Sequence, residues 1–235
     1  MNKLVLLLSI FSFICCSSKN SARSEEIRSK QSQDIPDSLV DEKLLALFFE
    51  MKDNPNTTIL DSAVSLADSM ADIYMDDERA HFKYVLQKIQ FLVLGKQMDS
   101  AIDIIKRDNC SMWNKTGGPY FKDILKCRIL AMSEMSKNNM HLYKTHIKEA
   151  LQFVEKYITE NRKEYISFLY NDLPHHKGKY YVTIQEYIYY SYLLYGEDEA
   201  DRRLKEYQEL YNIPENNIEQ LKLLYKMDIM DFFPM

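Results

Sequence analysis

The chain has 235 residues, 46% of them apolar and 28% charged, with a formal net charge of −5. Five glycines and six prolines are too few for a glycine-rich phosphate loop or for the frequent turns of an all-β sandwich. The acidic balance excludes wholesale attraction to nucleic acid or to an anionic membrane. The length allows one domain whose core needs no disulfide or metal staple. The first element is a basic start at Lys3, an apolar run from Leu4 to Ile14, and then Cys15-Cys16. That run is too short to span a bilayer and reads as a signal segment.

Residues 1–16 resemble a Bacteroidetes-type lipoprotein signal, with Phe13, Ile14 and Cys15 ahead of Cys16. The resemblance implies a signal peptide over residues 1–15, lipid attachment at Cys16, and a lipid-anchored address in the cell envelope. Ser17-Ser18-Lys19-Asn20 carries no acid, which favours the outer membrane facing the periplasm. The alternatives are a plain secretory signal cut near Ser18 and an uncleaved anchor. Residues 16–37 are expected to form a flexible tether: from Ser17 onward they contain six serines and only Ala22, Ile27 and Ile35 as apolar residues, too few to build a core.

Residues 38–235 are expected to form the folded domain, because apolar spacing there is helical almost throughout. Ser38 with Asp41 marks a capping-box start, followed by Val40, Leu44, Leu47/Phe48 and Met51. Thr58 with Asp61 repeats the signal ahead of Ile59, Ala63, Leu66/Ala67, Met70 and Ile73/Tyr74. A third stripe, Phe82, Val85/Leu86, Ile89 and Leu92/Val93, stops at Gly95, and a fourth starts near Met98 with Ala101, Ile102 and Ile105. Residues 108–119 read as a break. Helices are expected near 120–136, 139–158, 160–171, 180–195 and 197–211, with a last one from 217 to 228 capped by Asn216. The pairs turn near 55, 95, 137 and 196.

Residues 92–107 (LVLGKQMDSAIDIIKR) and 193–207 (LLYGEDEADRRLKEY) resemble the turn and second helix of a tetratricopeptide repeat. Ala101 and Ala200 stand where that repeat keeps a small residue, and Ile105 and Leu204 where it keeps a large apolar one. The resemblance implies an all-α, right-handed array of antiparallel helix pairs, a TPR-like solenoid. The alternative fold is an irregular helical bundle. The resemblance also implies a binding scaffold for a protein or peptide in the envelope. In that register Val182, Gln185, Tyr189 and Tyr192 face a concave groove, as do Lys83, Leu86, Gln90 and Val93 in the earlier pair.

No catalytic signature stands out, and the chain reads as a non-enzyme with no cofactor. No HExxH occurs, and His175-His176 reads as a solvated loop rather than a metal site. Glu186, inside YYVTIQEYIYYSYLLY, where burial raises a carboxyl pKa, is either a catalytic acid or a carboxylate that reaches solvent or is hydrogen-bonded by a tyrosine. Asp76-Asp77-Glu78 reads as acids opening a helix. Thirteen of the 17 tyrosines fall within residues 157–235, which suits either recognition or packing between helix layers. Trp113 is a contact for a ligand or a hydrophobic plug. Asp-Ser followed by an apolar residue, at Ser38, Ser62, Ser69 and Ser100, resembles a short envelope O-glycosylation motif; helix capping is the other reading. Cys110 and Cys127 are a disulfide or two small buried hydrophobes. Two other functions remain open: a sugar-binding or enzymatic module in the Tyr-rich C-terminal third, and an immunity or inhibitor protein.

Overall fold

The computed structural model describes residues 37–163, 177–211, 213 and 215–229. Among them are ten α-helices and no strand: α1 (Asp37–Asp53), α2 (Thr57–Ile73), α3 (Glu78–Leu94), α4 (Met98–Arg107), α5 (Met112–Gly117), α6 (Phe121–Ser136), α7 (Met140–Glu160), α8 (Lys177–Tyr195), α9 (Glu197–Tyr211) and α10 (Glu215–Lys222). A 3-10 turn, Leu223–Lys226, ends the set. The signal segment, Cys16 and almost all of the expected tether lie outside the described residues, as do most of the 160–171 piece and His175-His176.

Several starts differ slightly from the expected ones, and at α2 a neighbouring side chain satisfies a first-turn amide. Helix α1 begins before Ser38, and Asp41 pairs with Lys83 at 2.5 Å instead of closing a capping box. Helix α2 begins before Thr58, with the Asn56 side chain accepting from the Ile59 amide at 2.9 Å. Asp77 caps α3 by accepting from the amides of Arg79 and Ala80, so the Asp76-Asp77-Glu78 acids do open a helix. The break at 108–119 contains the short helix α5. Helix α10 starts ahead of Asn216 and gives way to the 3-10 turn at Leu223, earlier than its apolar spacing predicts.

Two turns share one geometry. Lys96 (φ 60°) and Asn138 (φ 57°) are left-handed residues 42 positions apart. The amide of each donates three residues back, to the Val93 and Met135 carbonyls; the next amide donates five back, from Gln97 to Leu92 and from Asn139 to Glu134. This is the Schellman closure, and it ties up the orphan carbonyls of α3 and α6 alike. Gly196 (φ 88°) closes α8 with its amide on the Tyr192 carbonyl.

Each long helix packs on the next along the chain: α1 on α2, α2 on α3, α3 on α4, α4 on α6, α6 on α7, α7 on α8, and α8 on α9. The contact of α1 with α3 skips a helix. Ala101 and Ala200, the small residues of the repeat pattern, are both 0% exposed, so neither site has room for a larger side chain. Ile89, Ile105, Ile124, Ile129, Ile147 and Ile188 are fully buried in the core. Gly118 (φ 78°) lies so close to the Tyr157 ring that a Cβ there would collide with it. Cys110 and Cys127 are both free thiols. Cys110 donates to the Glu78 carbonyl at 3.4 Å, whereas Cys127 is buried and burial pushes its thiol up to about 12.

Candidate functional site

Helix α8 carries most of the polar chemistry buried in the domain. Residues three and four apart share a helix face, so its aromatic run splits into separate faces. Glu186 and Tyr190 look toward α6. There Arg128 donates its Nε to the Tyr190 hydroxyl at 2.7 Å and pairs through Nη2 with Glu186. The three residues are 0%, 1% and 0% exposed for Arg128, Glu186 and Tyr190. Burial pushes the Glu186 carboxyl above the ordinary carboxylate range while Arg128 pulls it back. Desolvation works against the guanidinium, but Tyr190 and Glu186 outweigh it and keep Arg128 charged. Chemically the cluster is an internal tie between α6 and α8, in which Glu186 is both raised by burial and paired with Arg128.

Tyr187 and Ser191 look toward α9. Tyr187 stacks on Tyr207 with ring centroids 4.5 Å apart. Arg203 of α9 donates to the Tyr187 hydroxyl at 3.2 Å and to Ser191 Oγ at 3.4 Å, and pairs with Glu199 and with Glu155 of α7. Tyr189 and Tyr192 look toward the C-terminal segment. Tyr189 donates its hydroxyl to the Met227 carbonyl at 2.9 Å, and Tyr192 stacks on Tyr225 at 4.7 Å with the rings 9° from parallel.

The expected groove row is therefore covered. Tyr189 is fully buried, Tyr192 and Gln185 are half-buried, and the Val182 side chain lies outside the described residues. In the earlier pair Leu86, Gln90 and Val93 are buried, and Lys83 is half-buried in its pair with Asp41. The physical reason is that α3 is flanked by α1, α2, α4 and α5 together, which leaves little of it facing water.

Trp113 is a buried plug rather than an open contact. It sits edge-on to Phe82 at 4.9 Å and tilted on Phe121 at 5.8 Å, with Lys122 Nζ over its ring. Its indole N–H donates to Asp108 at 3.1 Å, so the one polar atom of the ring is satisfied. Ser38 and Ser100 are exposed in the first turns of α1 and α4. Ser62 and Ser69 are exposed two turns apart on α2, their hydroxyls donating to the Thr58 and Ser65 carbonyls. His81 sits between the Ala71 carbonyl and Asp108, and His146 faces Glu149. Among the described residues no cluster of His, Cys, Asp and Glu is arranged to hold a metal ion, and no helix is long and apolar enough to cross a membrane.

Reading the sequence missed Arg128, Arg203 and the C-terminal segment as partners of α8, and Asp201 as the anchor of that segment. Arg128 had a signal. It stands on one stripe with Ile124 and Met132, and a charge in an apolar stripe implies a buried partner. Comparison with protein-family models, with curated proteins and with solved structures gives no match.

Proposed function

We propose that the chain is a lipid-anchored envelope protein, held to the outer membrane through Cys16, that serves as a binding scaffold for a protein or peptide. The scaffold is read as a TPR-like array in which α1/α2, α3/α4, α6/α7 and α8/α9 are successive helix pairs. The observation that carries this reading is the repeated Schellman turn at Lys96 and Asn138, joined by contacts between first helices. Asp41 meets Lys83 from α1 to α3, and Arg128 meets Glu186 from α6 to α8. Pairs stacked in an array bring first helices side by side in this way. Arrays of this kind bind through side chains on the first helices, so Gln185, Tyr189, Tyr192, Lys83 and Gln90 stay the residues assigned to the partner. Burial of Tyr189 and Gln90 makes access to them conditional on movement.

The test is cross-linking in intact cells of the native source, followed by identification of what is captured. A single recurring envelope protein supports the scaffold. A released glycan, or one cognate toxin, replaces it. Cys16→Ala is expected to move the protein from the detergent-extracted membrane fraction to the soluble fraction; unchanged fractionation removes the lipid anchor from the reading.

A further inference from the structure

The contacts between α8 and the C-terminal segment combine a side-chain bond to the main chain with a stacked ring pair. Beyond the 3-10 turn the backbone at Met227 is extended (φ −90°, ψ 140°), and its carbonyl accepts from the Tyr189 hydroxyl at 2.9 Å. Two residues earlier Tyr225 lies flat on Tyr192, ring centroids 4.7 Å apart. A hydroxyl on a main-chain carbonyl and one ring stacked on another are how a groove reads a peptide. The carbonyl is present in any sequence, and the ring selects an aromatic residue. Two further polar ties of the segment run to one residue of α9. Lys222 pairs with Asp201 at 2.5 Å, and Tyr225 donates its hydroxyl to Asp201 at 3.1 Å. Both Lys222 and Asp201 keep about two-fifths of their side-chain surface in water, at 45% and 36%, where ion pairs contribute little. Leu221, Leu224 and Ile229 supply the apolar part of the seat.

We propose that the Tyr189/Tyr192 face of α8 is a peptide-binding site whose resident occupant is the chain's own segment, residues 223–229. An external partner of the same pattern displaces it: an aromatic residue followed two positions later by a free carbonyl in extended backbone. The inference deepens the scaffold reading, on which it rests for the identity of the partner. A tethered occupant competes at an effective concentration on the order of millimolar. The closed form is therefore the resting state, and a partner must bind better than the tail to open it.

The test uses the full chain and a fluorescein-labelled synthetic peptide with the sequence of residues 219–229. Lys222→Glu combined with Tyr225→Ala weakens the resident segment without touching the α8 face. The labelled peptide is expected to bind this variant at least tenfold more tightly than it binds the unaltered chain. Adding Tyr189→Phe is expected to take back about fivefold to tenfold of that gain. Equal binding by the unaltered and released chains overturns the proposal. Native-state hydrogen exchange on the unaltered chain gives a second reading that needs no variant. Residues 221–229 are expected to open as a unit while α6 and α7 stay protected; exchange only through global unfolding also overturns it. Peptide binding with no cross-linked envelope partner removes the scaffold reading and leaves this one. A partner captured equally by both chains, with no peptide bound, does the reverse.

Discussion

Arg128 and Glu186 form a pair in which neither charge can be spared alone. Arg128→Met leaves a buried carboxylate, and Glu186→Leu leaves a buried guanidinium, so each is expected to lower unfolding free energy by about 3–5 kcal/mol. The double substitution is expected to recover most of that loss in chemical denaturation, because an apolar pair of similar volume needs no desolvation. At the surface the sign of a pH effect is set by Glu199. Its hydrogen bonds to Arg202 and Arg203 hold its carboxyl down at about 2, against an ordinary 4.5. The contribution of Glu199 is complete above 4.5 and fades as the pH falls from there through 2. Denaturation midpoints measured between pH 5 and pH 2.5 should fall less steeply in Glu199→Gln than in the unaltered chain. The acid at 186 was legible as an oddity among tyrosines, but its partner lies 58 positions earlier in another stripe. Nothing along one chain says which two buried polar residues meet. That information lives in the packing.

Helices were legible because period and breakers agree: Gly95, the turn near 137 and Gly196 all fall where α3, α6 and α8 stop. Starts were less legible, since Asn56 and Asp77 compete with neighbouring Thr and Asp residues that could cap as well. The two like turns carry a strain that sequence alone conceals. Lys96 stands in a left-handed position that disfavours side chains with a Cβ, whereas Asn138 tolerates it through its short polar side chain. Lys96→Gly is therefore expected to stabilise the chain by about 1 kcal/mol, and Asn138→Gly by clearly less, in thermal unfolding. At the crossings the sign reverses. Ala101→Leu fills a site with no exposed surface and is expected to cost about 1–3 kcal/mol. An unchanged melting temperature would show that α4 does not cross its neighbours as closely as the burial of Ala101 requires.

At the scale of the whole molecule Tyr187, Tyr189, Tyr190 and Tyr192 are mortar between elements, whereas Tyr195 keeps half its surface in water. Tyr190 faces α6, Tyr187 faces α9, and Tyr189 and Tyr192 both face the C-terminal segment; of these four only Tyr192 keeps appreciable surface. Composition predicted where those rings gather but not which way each would turn, because α8 packs against α5, α7, α9 and the 3-10 turn at once, so no single apolar face orients it. The core described here starts with Val40, and residues 17–36 contain only three apolar residues. Deleting 17–36 is therefore expected to leave the melting temperature within about a degree. The tie between α6 and α8 also bears on the order of synthesis. A chain made only as far as α7 has neither Glu186 nor Tyr190 for Arg128 to meet. A guanidinium stays hydrated rather than enter an apolar contact alone. The unfinished chain thus shows a wet, cationic flank to its surroundings instead of an adhesive one. It becomes dry only when the helix bearing the matching acid arrives, so the same pair that holds the finished molecule together keeps the nascent one from closing on a stranger.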